Sequence, residues 1–238
     1  TETAQVGLRL EALAEITAVK REKQAAIVHD WQNKWALEGS CGPRNAGMGY
    51  WNELKRHYNA LAREGIAVEF VDQNADLTGY GLVVVPMLYL LTDAFAKKLC
   101  AFAQNGGTVI VTYWSGVVDE SDLCRLGDTP YGLTELLGLR RTEIDGMYDG
   151  ETRRCMPAAG CTLPAAQAST LCEVAAFDEE NPAEPLSLYD EDYFAGHPAV
   201  AVHRYGKGRA YYLASRFDEA FYRAFYHDAA KEIGLSPA

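Results

Sequence analysis

Short apolar runs alternate with amphipathic stretches along the first half of the chain. Runs of β-branched and aliphatic residues predict strands at 25–30, 67–72, 82–87 and 108–113. Apolar residues at helical spacing predict helices at 4–18, 50–64 and 92–105. Uninterrupted apolar strands are typical of parallel sheets that helices cover on both faces. The pattern therefore predicts an α/β fold with a doubly wound, mostly parallel sheet flanked by helices.

The pattern is less regular from residue 117 to residue 185, where Ala, Pro and Gly are frequent. We predict an irregular excursion there, with a short helix at 132–139 and a strand at 171–177. Two alternating runs then flank Gly206-Lys207-Gly208 and predict a β-hairpin, which a C-terminal helix from 218 to 233 follows. Since no clear linker or repeat interrupts the chain, we predict one domain over 1–238, with a leading linker helix at 1–20.

Composition and charge argue against two classes of protein. The chain has 238 residues and is 48% hydrophobic, but no apolar run approaches the roughly 18 residues that a membrane span needs. Its formal net charge is −11, which repels phosphate backbones, and it has no basic stripe with interleaved aromatic residues. We therefore expect no membrane span and no nucleic-acid partner. The opening residues follow a helical pattern, so we also expect no signal peptide.

Six cysteines are scattered along the chain without a CxxC pair. Scattered thiols of this kind are typical of reduced, mostly buried cysteines in a cytoplasmic protein. The alternative is a metal site or a disulfide that involves Cys155 and Cys161.

The turn after the strand at 108–113 is where related folds place a catalytic nucleophile between glycines. Here the turn reads Tyr113-Trp114-Ser115-Gly116. Ser115 lacks a preceding glycine, and no histidine follows at a suggestive spacing, although His197 or His203 could approach it in the fold. We interpret Ser115 as a structural loop residue and keep a Ser115 nucleophile as the alternative.

Asp30, Trp31 and Trp35 follow the first predicted strand, in a predicted glycine-rich loop at 31–49. The carboxyl ends of parallel strands line the crevice where such sheets bind ligands. An exposed tryptophan is typical of a surface that stacks on a sugar or packs against a partner. The alternative is that both rings are buried under the loop.

Two acidic runs and one glycine-lysine-glycine sequence invite catalytic or phosphate-binding interpretations. The acidic runs at 178–180 and 190–192 fit solvated turns better than a glycosidase pair, since adjacent acids on a loop point in different directions. Lys207 is followed by glycine rather than Ser or Thr, so a hairpin fits better than a phosphate loop.

Three segments carry a resemblance to a known family. They are DWQNKWALE at 30–38, the stretch from PRNAGMGYW to GVVDE at 43–120, and FAGHPAVAVHRYGKGRAYYLASRFDEAF at 194–221. In this order they resemble the middle portion of bacterial β-galactosidases of glycoside hydrolase family 42. The resemblance runs from about Gly7 to Leu235.

This resemblance implies a trimerisation domain with a flavodoxin-like, class I glutamine-amidotransferase-like fold. It implies that a catalytic TIM barrel with two catalytic glutamates precedes residue 1, and that a small β-rich domain follows residue 238. The parent enzyme would hydrolyse terminal β-D-galactosides with retention. The chain alone is then expected to be the inactive oligomerisation domain.

The implied partners are other copies of the chain in a homotrimer and the catalytic barrels of its own and the neighbouring subunit. A galactoside would be met only through the intact enzyme, and no cofactor or metal is expected. Asp30, Trp31 and Trp35 are the candidates for an edge at the substrate entrance or at an interface. Two alternatives stay open: an amidotransferase-like hydrolase that uses Ser115, and a carbohydrate-binding module that uses Trp31 and Trp35.

Overall fold

One mixed sheet organises the chain in this computed structural model, which describes residues 2–15, 22–40 and 48–237. The helices are α1 (Glu2–Ala12), α2 (Trp31–Gly39), α3 (Tyr50–Arg63), α4 (Asp93–Gln104), α5 (Thr134–Leu137) and α6 (Glu219–Glu232). The strands are β1 (Ala25–Val28), β2 (Val68–Val71), β3 (Leu82–Val85), β4 (Thr108–Thr112), β5 (Leu139–Gly146), β6 (Thr152–Pro157), β7 (Ala166–Phe177), β8 (Glu184–Tyr189), β9 (Pro198–Tyr205), β10 (Gly208–Leu213) and β11 (Ser215–Arg216).

Four strands from the first half of the chain, together with β10, form the parallel part of the sheet. Its strands lie in the order β2-β1-β3-β4-β10, and each neighbouring pair is parallel. Every residue of β1, β3 and β4 is buried, as their uninterrupted apolar sequences predict. Helices α3 and α4 pack on this part, and Thr92 caps α4 by accepting a hydrogen bond from the Phe95 N–H.

The fold-class prediction is wrong for the chain as a whole. The sheet has eleven strands, and beyond β10 it continues as β9-β8-β6-β7-β11 with β5 beside β7, all in antiparallel pairs. A β-rich domain with a mixed, largely antiparallel sheet replaces the doubly wound, mostly parallel sheet. The flavodoxin-like and glutamine-amidotransferase-like descriptions therefore do not hold.

The error arose in the stretch predicted to be an irregular excursion, because strands β5 to β8 all begin between residues 117 and 185. The predicted strand at 171–177 is confirmed as the second half of β7, which begins earlier, at Ala166. Four of the 12 residues of β7 are Ala, which carries little strand propensity. Its central residues are buried because β5, β6 and β11 pair with it. Pairing with distant strands outweighed the local composition here.

The hairpin of β9 and β10 and the C-terminal helix α6 are as predicted. The predicted loop at 31–49 is wrong over its first part, because α2 occupies Trp31–Gly39, and residues 41–47 lie outside the described residues. The leading helix is present as α1, which has no buried residue. The later part of the predicted helix, from residue 16, also lies outside the described residues.

Candidate functional site

The carboxyl ends of β1, β3 and β4 form the edge where the sequence predicted a site. Asp30 follows β1 and caps α2, because its Oδ1 accepts hydrogen bonds from the N–H groups of Gln32 and Asn33 at 2.8 and 3.2 Å. Its Oδ2 accepts from Gln73 Nε2 at 3.2 Å. The side chain is buried, and both oxygens are used, so Asp30 holds the backbone at this edge.

Asn33 is a site residue that sequence reasoning missed. It is fully buried, its Nδ2 donates to the Met87 carbonyl at 3.1 Å, and its Oδ1 accepts from the Leu90 N–H at 3.0 Å. Both partners lie in the segment after β3, so this side chain ties α2 to that loop. The sequence signal for Asn33 was its position three residues after Asp30, in the first turn of the helix that Asp30 caps.

Trp31 and Trp35 lie on α2 with 56% of each side chain exposed, so the alternative that both are buried is wrong. Their ring centroids are 6.2 Å apart. Trp31 packs edge-on against His29 at 5.1 Å, and His29 also contacts Trp51 of α3 at 5.1 Å. Trp31 and Trp35 are thus part of a larger exposed aromatic surface. Asp30 stabilises this surface by capping α2, the helix that carries both rings.

The turn after β4 keeps the backbone shape of an elbow without its chemistry. Trp114 has φ +59° and Gly116 has φ +63°. A Cβ at Gly116 would lie 2.8 Å from the Tyr131 nitrogen, so this position requires glycine. The Trp114 ring is buried and stacks on Tyr89 at 5.7 Å. A strained backbone is therefore present, but it presents tryptophan rather than a nucleophile.

Ser115 is not arranged as a nucleophile. Its side chain is fully buried, and its Oγ accepts a hydrogen bond from the Leu88 N–H at 3.0 Å. His197 Nδ1 lies 3.0 Å from the Ala175 carbonyl, and His203 Nδ1 lies 2.9 Å from the Leu136 carbonyl. Each imidazole is held by backbone, and neither has a hydrogen bond to Ser115. The serine completes a loop contact instead of a catalytic pair.

A buried carboxylate lies directly behind the elbow. Glu173 of β7 accepts hydrogen bonds from the Trp114 N–H at 2.9 Å, from Arg141 at 2.6 Å and from the Tyr212 hydroxyl. Burial lowers the pKa of Arg141, but Glu173 and Tyr212 together outweigh burial, and the net effect is to raise this pKa. This cluster joins the parallel and antiparallel parts of the sheet.

A second buried cluster lies between α3 and α6. Glu53 accepts hydrogen bonds from Arg216 Nε at 2.8 Å and from the Tyr222 hydroxyl at 2.6 Å, and His57 Nε2 lies 3.4 Å from it. Burial raises the pKa of Glu53, but His57, Arg216 and Tyr222 outweigh burial and lower it to about 2. Neither cluster could be recognised in the sequence, because the arginine and tyrosine partners of Glu53 and Glu173 lie 32 or more residues away along the chain.

The other candidates have structural roles. Asp178 accepts from the N–H groups of Glu180 and Asn181, and Asp190 and Asp192 pair with Arg154 and Arg153. Cys155 and Cys161 are free thiols, so the disulfide alternative is wrong. Within residues 2–15, 22–40 and 48–237, no three His, Cys, Asp or Glu side chains cluster as metal ligands. In the same ranges no helix has the length and apolarity to cross a bilayer.

Comparison with known proteins locates this arrangement within a family. A family described as "Beta-galactosidase trimerisation domain" matches residues 23–236. Beta-galactosidase BglY of Alicyclobacillus acidocaldarius is 44% identical over 236 residues, which is 98% of this chain and 34% of that protein. Beta-galactosidase GalA of Bacillus licheniformis is 36% identical over 237 residues, again 34% of its length. The chain thus spans about a third of the length of these relatives.

Solved structures show the same fold. The cold-adapted beta-galactosidase from Rahnella sp. R3 is similar with a TM-score of 0.91 and 42% identity, over 98% of this chain and 34% of that one. The beta-galactosidase from Bacillus circulans sp. alkalophilus has a TM-score of 0.88 at 32% identity, over 94% of this chain and 33% of that one. In both cases the shared fold is one part of a longer protein.

Proposed function

The chain belongs to the β-galactosidase trimerisation domain family, and on that premise we propose that it assembles a β-galactosidase of glycoside hydrolase family 42 into a homotrimer. The observation that carries this proposal is the match of nearly the whole chain to about a third of the relatives' length. A domain shared in this way fits an assembly role beside a catalytic domain that lies elsewhere in the protein.

The parent enzyme, in this proposal, hydrolyses terminal β-D-galactosides with retention, and this chain does no chemistry. Retaining glycosidases need two carboxyl groups that face each other about 5–5.5 Å apart across the sugar. The buried carboxylates described above serve other purposes, since Glu53 and Glu173 are each enclosed by arginine and tyrosine partners. The turn that carries a nucleophile in related folds carries Trp114 here.

The exposed pair Trp31 and Trp35 is our proposal for an edge of the domain that meets a neighbouring subunit or the entrance to its active site. Asp30 supports this edge by capping α2. Their exposure favours this role, because large aromatic side chains are enriched where proteins meet partners. The remaining partners, which are the barrels and a galactoside met through the intact enzyme, and the cytoplasmic location are likewise proposals that follow from the family.

A chromogenic β-galactoside tests the catalytic half of this proposal. The purified chain is expected to release no more chromophore than buffer, and Ser115→Ala is expected to leave that release unchanged. Turnover by the purified chain that Ser115→Ala abolishes would contradict the assembly role and support the hydrolase alternative.

A further inference from the structure

A stripe of exposed aromatic side chains crosses one face of the domain. We define the aromatic stripe as Trp31, Trp35, Trp51, Tyr58 and Phe70, whose side chains are between 40% and 56% exposed. His29 links Trp31 to Trp51 through ring contacts of 5.1 Å each, and Tyr58 stacks on Phe70 at 5.8 Å. Contiguous apolar surface of this kind marks an interaction site, whereas single exposed residues do not.

One end of the stripe, formed by Tyr58 and Phe70, lies at the free edge of the sheet. Trp51 and Tyr58 are seven residues apart in α3, so they share a helix face, which borders the buried face that holds Leu54 and Leu61. Phe70 is on β2, which ends the strand order and pairs only with β1 among the described strands. Edge strands are usually shielded, because their outer N–H and C=O groups invite pairing with another chain. The uncovered aromatic surface at this edge therefore fits a protein partner.

The stripe includes one exposed lysine on a strongly negative chain. Lys55 is exposed on α3 between Trp51 and Tyr58. Lys34 lies 5.7 Å from the Trp31 ring centroid, but its charge is paired with Glu38 at 2.6 Å. The chain as a whole has a net charge of −11. An aromatic face that holds an exposed lysine is complementary to a face that is apolar and acidic.

The loop from Asp119 to Asp128 is such a face, and we call it the acidic loop. Leu123 and Leu126 are 64% and 92% exposed, and they lie among Asp119, Glu120, Asp122 and Asp128. The loop also contains Arg125, whose guanidinium pairs with Asp93 at 2.7 Å and with Glu120 at 3.5 Å, so the loop stays negative overall. Asp119 Oδ1 accepts from the N–H groups of Ser121 and Leu123 at 2.8 and 3.1 Å, which fixes the shape of the loop. A leucine as exposed as Leu126 on an ordered loop fits a contact with another molecule.

We propose that the aromatic stripe of one copy packs against the acidic loop of the next copy. Contacts between two different faces of the same molecule are heterologous, and they close into a ring when the rotation between copies is 120°. A second copy is the occupant because the family is one of trimerisation domains, and because the two faces are complementary in charge. This inference rests on the proposed function, since it takes the assembly of copies as given and assigns the surfaces that carry it.

Sedimentation velocity over a concentration series tests the assignment. Trp51→Ala and Leu126→Ser are each expected to weaken trimer formation about 30-fold or more, as for a buried interface anchor. Lys55→Glu and Glu120→Lys are each expected to weaken it about 10-fold, and the double variant is expected to recover most of that loss. The control is Tyr148→Ser, which removes an aromatic ring that is 82% exposed but lies outside both faces; it is expected to leave assembly unchanged.

The outcomes separate this inference from the function on which it rests. All variants should unfold within a few degrees of wild type, since the substituted side chains are exposed. A wild-type trimer that none of the four single variants weakens would overturn the assigned faces and leave the assembly role intact. A wild-type chain that never associates would overturn the assembly role itself. Trimers that persist in Trp51→Ala, together with a galactose-dependent fluorescence change that this variant loses, would reassign the stripe to sugar binding.

Discussion

The backbone N–H of Trp114 donates a 2.9 Å hydrogen bond to Oε1 of Glu173. This contact joins the strained turn after β4, in the parallel part of the sheet, to β7 in the antiparallel part. The same oxygen accepts from Arg141 at 2.6 Å. The turn that serves as a nucleophile elbow in related folds is therefore used here as a fixed joint between the two parts of the sheet.

Glu173→Gln tests this joint. The substitution leaves the buried Arg141 guanidinium without its counter-charge, so we expect a loss of about 3–5 kcal/mol in the free energy of unfolding. Urea denaturation followed by circular dichroism measures it. The control is Asp128→Asn at the exposed pair with Arg140, where the expected loss is below about 1 kcal/mol. Equal, small losses in both variants would contradict the joint.

Ser115→Ala separates a structural serine from a catalytic one. The substitution removes the acceptor of the buried Leu88 N–H, so we expect a loss of about 1–3 kcal/mol in the free energy of unfolding. Chemical denaturation gives the stability. A serine that could be replaced at no cost in stability would not have the loop role described above.

The Glu53 cluster predicts how stability depends on pH. The pKa of Glu53 is lowered in the folded chain from an ordinary value of 4.5 to about 2. A lowered folded pKa means that the carboxylate stabilises the fold fully above about pH 4.5, and that this contribution is lost as the pH falls towards 2. Urea midpoints measured from pH 7 down to pH 2 should show this loss.

Glu53→Gln tests whether Glu53 causes the loss of stability at low pH. It should be less stable than wild type at neutral pH, because Arg216 loses its buried partner. The difference between the two proteins should shrink as the pH falls from about 4.5 towards 2. A difference that stays constant over that range would show that Glu53 does not titrate in this window.

Asn33→Ala tests the residue that the sequence did not reveal. It would leave the Met87 carbonyl and the Leu90 N–H unpaired in a buried place. We expect a loss of about 2–4 kcal/mol in the free energy of unfolding, from the penalties for unpaired buried groups. Asn59→Ala, on the exposed face of α3, is the control and should cost less than about 1 kcal/mol. Similar losses at both positions would remove the assigned role of Asn33.

The parts of the fold that could be predicted are those whose local sequence agrees with their final environment. Continuous apolar runs such as Leu82–Val85 can only be satisfied by burial on both faces, so the parallel strands followed from the sequence. Strands β5, β6 and β8 could not be predicted in the same way, since polar sequences such as Thr152–Pro157 become strands only through pairing with distant partners. Once that half was missed, the fold class was wrong.

The residues of the candidate site also differ in whether the sequence alone could reveal them. Trp31 and Trp35 stood out because tryptophan is conspicuous beside a strand end, and their exposure is an observation of the structure. Glu53 and Glu173 looked like ordinary acids, because their arginine partners lie 163 and 32 residues away along the chain. Only the folded chain brings those charges together.

Sedimentation equilibrium of the purified chain tests the assembly role most directly. One chain has a mass of 26.2 kDa. We expect the measured mass to rise with concentration to a limit of about three times that value, with no plateau at twice it. A mass that stays at 26.2 kDa at every concentration would contradict the claim that this chain assembles itself.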